Sequence, residues 1–254
     1  MTSRDALRRS GAAIRERLGF PANNPDAELA PGMHRLAEEA VWGSIWARPG
    51  LALNDRMLAV LSALTSRQYL PQLRRYIGAA LHIGVPARTI QEVFIQCGLY
   101  SGFPTILNSV GLANEVFAER GLAVPDTQMP DCDADALMAL GRQTMHKLHG
   151  GRAEQGYAAP DNRATAGLYP TAIAYGYGEI WSRPDLDHRQ RMICAVAAFT
   201  AIDHLPQLVK FGQSALNTGL TREQVIEVIM QTAPYSGFPR ALNALSAFGE
   251  VPGE

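Results

Sequence analysis

The chain has 254 residues, 47% of them hydrophobic, and its 23 Lys and Arg against 24 Asp and Glu leave a formal net charge of −1. The near-neutral balance carries no basic run or stripe, which excludes a nucleic-acid footprint, and no apolar stretch has the length of a membrane span. Cys97, Cys132 and Cys194 are too few and too scattered for a disulfide framework or a metal-ligand spacing.

Arg4, Arg8 and Arg9 are not followed by an apolar core segment, so no secretory leader is read and a soluble cytoplasmic protein is expected. Residues 5–18 form an amphipathic helix with Leu7, Ile14 and Leu18 on one side, and the Pro- and Asn-rich run Phe20–Pro25 is a loop. A helix from about Pro31 to Trp46 stops before Arg48-Pro49. The next helix takes Asn54 or Asp55 as its cap and is apolar over a wide face. Pro71 opens a further helix that ends at His82, with Gly84 as its left-handed terminator. The helix carrying Ile90, Val93, Phe94 and Cys97 breaks at Tyr100-Ser101-Gly102-Phe103-Pro104, where Pro starts the last helix of the unit.

That pentapeptide recurs as Tyr235-Ser236-Gly237-Phe238-Pro239, displaced by 135 residues, and the displacement holds without a gap over a long span. Leu70-Pro71-Gln72-Leu73 returns as Leu205-Pro206-Gln207-Leu208, Arg56-Met57 as Arg191-Met192, and Glu92, Gln96 and Asn108 as Glu227, Gln231 and Asn243. The first helix returns at a displacement of 130, as Asp135 to Leu148. Thr221-Arg222-Glu223-Gln224 has capping-box spacing. No stretch alternates with period two over strand length, so the chain reads as all-α. Its units are 1–124 and 135–254, joined by a linker at 125–134, with Gly150–Pro160 a loop and candidate lid.

Trp42-Gly43-Ser44-Ile45-Trp46-Ala47-Arg48-Pro49-Gly50-Leu51, its copy Gly178-Glu179-Ile180-Trp181-Ser182-Arg183-Pro184-Asp185-Leu186, and the runs Gly84–Pro104 and Gly219–Pro239 resemble the carboxymuconolactone decarboxylase family. The resemblance covers most of each unit. It implies two tandem helical repeats of the decarboxylase and alkyl hydroperoxidase partner (AhpD-like) type, packed about a pseudo-twofold axis. It also implies a ring-like homo-oligomer, three chains or else two. Two departures stand out. No Cys-x-x-Cys exists for thiol peroxidase chemistry. The Glu and His that the decarboxylase branch carries after Pro71 are Gln72 and Tyr76 in one copy, Gln207 and Phe211 in the other.

The corresponding helix face now presents Tyr69, Gln72 and Tyr76, and in the second copy His204, Gln207 and Phe211. A histidine's unperturbed pKa lies near neutrality, so His204 is an acid–base candidate, or else it borders its helix. Tyr76 donates a proton or fills the core, and Gln72 and Gln207 orient a ligand oxygen or start their helices. Arg56 and Arg191 bind a carboxylate or make structural ion pairs. Trp42 and Tyr177 hold matched positions that line a cavity or the core, and Cys97, in an apolar setting near Tyr100, lines the cavity or is an inert buried thiol. These residues imply a cofactor-independent, metal-free lyase, isomerase or cyclase that moves a proton on a small lactone, keto acid or polyketide-like molecule. The other reading is a non-catalytic binding or assembly protein descended from a decarboxylase.

Overall fold

A computed structural model describes residues 3–21, 29–126, 131–155, 159 and 162–251; parts of the expected Phe20–Pro25 loop, the 125–134 linker and the Gly150–Pro160 loop lie outside them. The described residues are helical with no strand. The first repeat runs α1 (Arg4–Arg17), α2 (Met33–Leu36, continuing as a π-helix over Ala37–Trp46), α3 (Leu53–Arg67), α4 (Leu70–His82), α5 (Ala87–Ser101) and α6 (Phe103–Glu119). The second runs α7 (Ala134–His149), a 3-10 turn (Gly150–Glu154), α8 (Tyr169–Thr171, continuing as a π-helix over Ala172–Glu179), α9 (His188–Ala201), α10 (Leu205–Leu216), α11 (Arg222–Ser236) and α12 (Phe238–Gly249).

Two expectations change. The helix expected from Pro31 starts at Met33, after Gly32 in a left-handed conformation, and winds as a π-helix from Ala37. The cap of α3 is Ala52, because Asp55 is buried one turn inside and its carboxylate receives Arg189 of the second repeat at 2.8 and 3.1 Å. The Thr221 capping box forms as read, with both reciprocal bonds made. Gly102 and Gly237 adopt φ of 97° and 100°, which lets α5 and α11 stop and the next helix leave at an angle.

α3 and α9 pack against each other at the centre, and each is covered by a helix of the other repeat, α11 on α3 and α5 on α9. The cross-repeat contacts are reciprocal. Arg56 donates to Glu227 at 2.8 Å and Gln231 at 2.9 Å, and Arg191 donates to Glu92 at 3.1 Å and Gln96 at 3.0 Å. Arg48 and Arg183 add a second guanidinium to each carboxylate. Residue i meeting j′ while j meets i′ is the signature of a twofold interface, here inside one chain.

The π-helices have a packing reason. Gly43 lies against the Leu7 carbonyl of α1, and Gly178 against the Leu137 carbonyl of α7, with backbone where a Cβ would be. Gly11 and Gly141 make the return contact, so two glycines let each pair of helices touch backbone to backbone. Gly178→Val is expected to cost about 3 kcal/mol, the upper end of overpacking, because main chain cannot yield as a side chain does. Urea unfolding would measure it, and a change under 1 kcal/mol would contradict the close approach.

Candidate active site

In the second repeat, α7, α8 and α10 converge on a cavity of about 330 Å³. His149 is the last residue of α7. Gly150 (φ 59°) ends the helix, and the following 3-10 turn brings Arg152 back over α10. Tyr177 comes from the π-helical stretch, and Gln207, Lys210 and Phe211 come from successive turns of α10. Met145, Ala153 and Phe211 give the cavity an apolar wall.

A hydrogen-bonded chain runs along one side. Arg152 Nη2 donates to Ser214 Oγ at 2.8 Å, and Ser214 Oγ–H donates to the Lys210 carbonyl at 3.1 Å. His149 Nδ1 lies 2.6 Å from the same Oγ, and His149 Nε2 lies 2.8 Å from Tyr177 Oη. A hydroxyl has one proton; with that of Ser214 directed at the Lys210 carbonyl, its oxygen accepts toward His149. That arrangement puts the imidazole proton on Nδ1 and leaves the Nε2 lone pair to accept from the Tyr177 phenol.

Burial, reinforced by the Arg152 guanidinium, pushes the His149 imidazole down to about 4. Burial also raises the Tyr177 phenol well above its usual range. Arg152 donates to two neutral oxygens, the Lys210 carbonyl and Ser214 Oγ, and desolvation lowers its pKa. A half-buried guanidinium that faces a cavity and has no carboxylate partner among the described residues is a place for a developing or resident negative charge.

Unfolded, His149 binds its proton near pH 6.5; folded, it does so only near 4. Between those values the unfolded chain holds more protons, so stability is full above pH 6.5 and falls as pH drops toward 4. The loss from His149 is about 3 kcal/mol. His188 is shifted downward too, mainly by burial, and adds to the slope. Urea unfolding at pH 7 and pH 4.5 should show His149→Gln losing much less stability between the two than the native chain; equal losses would contradict a buried neutral imidazole.

With the site laid out, the decisive comparison is with known families: the model of the carboxymuconolactone decarboxylase family matches residues 31–115 and again 166–250, once in each repeat. The chain belongs to the carboxymuconolactone decarboxylase family. Similar members include the 4-carboxymuconolactone decarboxylase of Acinetobacter baylyi, 33% identical over 82 residues, which are 32% of this chain and 61% of that protein. An uncharacterised 15.0 kDa protein of Paracoccus denitrificans is 32% identical over 37% of this chain and 71% of its own length. The nitrosuccinic acid decarboxylase of Metarhizium robertsii is 29% identical over 32% of this chain and 55% of that protein. Each alignment therefore spans about one repeat, and less than two thirds of either decarboxylase. A crystal structure of a Burkholderia xenovorans protein assigned as a gamma-carboxymuconolactone decarboxylase subunit superposes with a TM-score of 0.57, covering 96% of this chain and 95% of that one at 20% identity, which shows a shared fold.

Within this carboxymuconolactone decarboxylase fold, three of the residues singled out from sequence meet in the cavity: Tyr177, Gln207 and Phe211. The histidine there is His149, not His204. His204 is exposed at the start of α10, because Asp203 turns left-handed (φ 64°) to end α9 and throws the next residue outward. Tyr69 is 42% exposed and Gln72 is exposed. Arg56 and Arg191 are buried in the cross-repeat ion pairs. Tyr76 Oη lies 2.6 Å from Tyr235 Oη, which also accepts from Trp46 Nε1 at 2.6 Å. Cys97 is fully buried, and burial drives its thiol up, away from the thiolate. No described helix is long and apolar enough to cross a membrane.

The first repeat holds the counterpart without the imidazole. Trp42 and Tyr76 occupy the places of Tyr177 and Phe211. Between them sits the Phe20 ring, 5.3 Å from each; the His149 ring sits 5.5 and 5.0 Å from Tyr177 and Phe211. His149, Arg152 and Ser214 were missed in sequence. The signal was there in two registers: His149 stands against Gly19 at a displacement of 130, and Ser214 against Ala79 at 135.

Proposed function

We propose that the protein is a lyase that decarboxylates a small oxo acid or lactone acid in the cavity of its second repeat. The observation that carries this reading is the Arg152–Ser214–His149–Tyr177 chain ending in a cavity with an apolar opposite wall. The decarboxylase relatives support the reaction class.

The substrate enters as its acid, or as its anion together with one proton. The proton is held on His149 Nε2, where the substrate's negative charge offsets the field of Arg152 and raises the imidazole's affinity for it. The carboxylate lies against Phe211 and Met145, poorly solvated, and the oxo oxygen lies toward Arg152. As the carbon–carbon bond breaks, CO2 leaves and the bonding pair passes to the oxo oxygen, where the guanidinium meets the growing charge. Tyr177 O–H then protonates the carbon, and Nε2–H restores the phenol. Atoms and charge balance, and the resting tautomer is regained. The same proton relay serves an isomerisation if no carboxylate lies beside the oxo group.

The test is CO2 release from a panel of small β-oxo and lactone acids, with deuterium from solvent appearing on the product carbon. Because a proton must enter with the substrate, kcat/KM is expected to rise as pH falls from 8 toward 5. A panel that is neither bound nor turned over would overturn the proposal.

A further inference from the structure

We infer that Ser214, a residue that touches no substrate in the reading above, is the positioning residue that fixes which nitrogen of His149 is free to hold the catalytic proton. The inference rests on that reading for its consequence but on geometry alone for its mechanism.

Ser214 Oγ is buried, and its three bonds saturate it. It donates to the Lys210 carbonyl, the usual back-bond of a helical serine, and accepts from Arg152 and His149. The back-bond sets the sign of the rest: with its proton committed along α10, the oxygen can only accept from the imidazole, so Nδ1 must be the protonated nitrogen. Nε2 is then left with its lone pair toward Tyr177, 2.8 Å away. The other tautomer would place two hydrogens, one from Nε2 and one from the phenol, on the same line unless the phenol turned away.

The two repeats support the assignment. Where the second has His149, Tyr177 and Ser214, the first has Gly19, Trp42 and Ala79. The hydroxyl is absent from the repeat that lacks the imidazole and the phenol. Ser214 also ties the base to Arg152, so the group that meets substrate charge and the group that holds the proton share one oxygen.

Ser214→Ala removes the acceptor for Nδ1–H and frees the Arg152 N–H that shared this oxygen, so that an Nδ1 lone pair becomes the better partner for it. His149 should switch to the Nε2–H form. The experiment is 15N NMR of histidine-labelled full-length protein, with His149 identified by the signal lost in His149→Gln. The expected result is an Nδ1–H pattern in the native chain, Nε2–H in Ser214→Ala, and Nδ1–H again in Ser214→Thr, all with unfolding midpoints near the native one. Turnover should fall at least tenfold in kcat for Ser214→Ala with KM little changed, and recover in the threonine variant. An Nδ1–H pattern that survives in Ser214→Ala overturns the assignment. A switched tautomer with undiminished kcat overturns its catalytic consequence. The spectroscopic arm needs no substrate, so its failure is distinct from a failure of the proposed reaction.

Discussion

His149→Gln is expected to lower kcat by about two to four orders of magnitude, the range that a positioned acid–base group supplies. Glutamine keeps much of the bulk and can still bond Ser214 and Tyr177, so the fold and cavity should survive. What it lacks is a nitrogen that gains and loses a proton. KM should change little, because Arg152 and the apolar wall remain. Tyr177→Phe should show the same pattern, and the double variant should lose scarcely more than either single one, since the two residues form one relay. His204→Ala, at an exposed helix start, should leave kcat within twofold. The reverse order of effects, His204 large and His149 small, would relocate the acid–base group.

Glu92→Gln is expected to destabilise the chain by about 3–5 kcal/mol, a large part of the margin of an ordinary domain. Glu92 is fully buried; its carboxylate receives Arg183 at 3.0 Å and Arg191 at 3.1 Å, and Arg88 stands 3.8 Å away. The isosteric amide preserves shape and removes the charge that neutralises these guanidiniums. The Arg191 side chain is itself fully buried, so water cannot take over. Glu227→Gln, whose partner Arg48 is 38% exposed, should cost less. Urea midpoints at pH 7 would measure both, and a loss below 1 kcal/mol for Glu92→Gln would mean that the pairs are energetically idle.

The fold was legible because its signals are local. A pentapeptide turn, a capping box and a proline at each helix start act over a few residues, and the duplication let each be read twice. The π-helical winding was not legible, since it answers to glycine contacts between helices far apart in sequence. The site was half legible. Gln207 and Phe211 could be found because they stand where the family's own residues would. His149, Arg152 and Ser214 reach the cavity through a helix end, a 3-10 turn and a point six residues past the signature, and only the folded chain brings them together. Arg56 and Arg191 show the converse: their position beside a family signature is equally that of an ion pair, and only the buried Glu227 and Glu92 carboxylates distinguish the two.

The reciprocal interface at the centre has an evolutionary consequence. Two identical subunits related by a twofold axis must carry every mutation twice, so a substitution that stiffens one pocket also spoils its twin. Joining the units in one polypeptide lifts that constraint. One half can seat a phenylalanine ring where the other seats an imidazole, and each half still serves the other as a wall. Tyr100 of the first repeat lies 6.0 Å from Phe211 and 4.4 Å from Phe199, ring to ring, directly behind the second repeat's cavity. A substitution in one repeat can therefore reshape the pocket of the other alone, a route to new specificity that a symmetric dimer lacks.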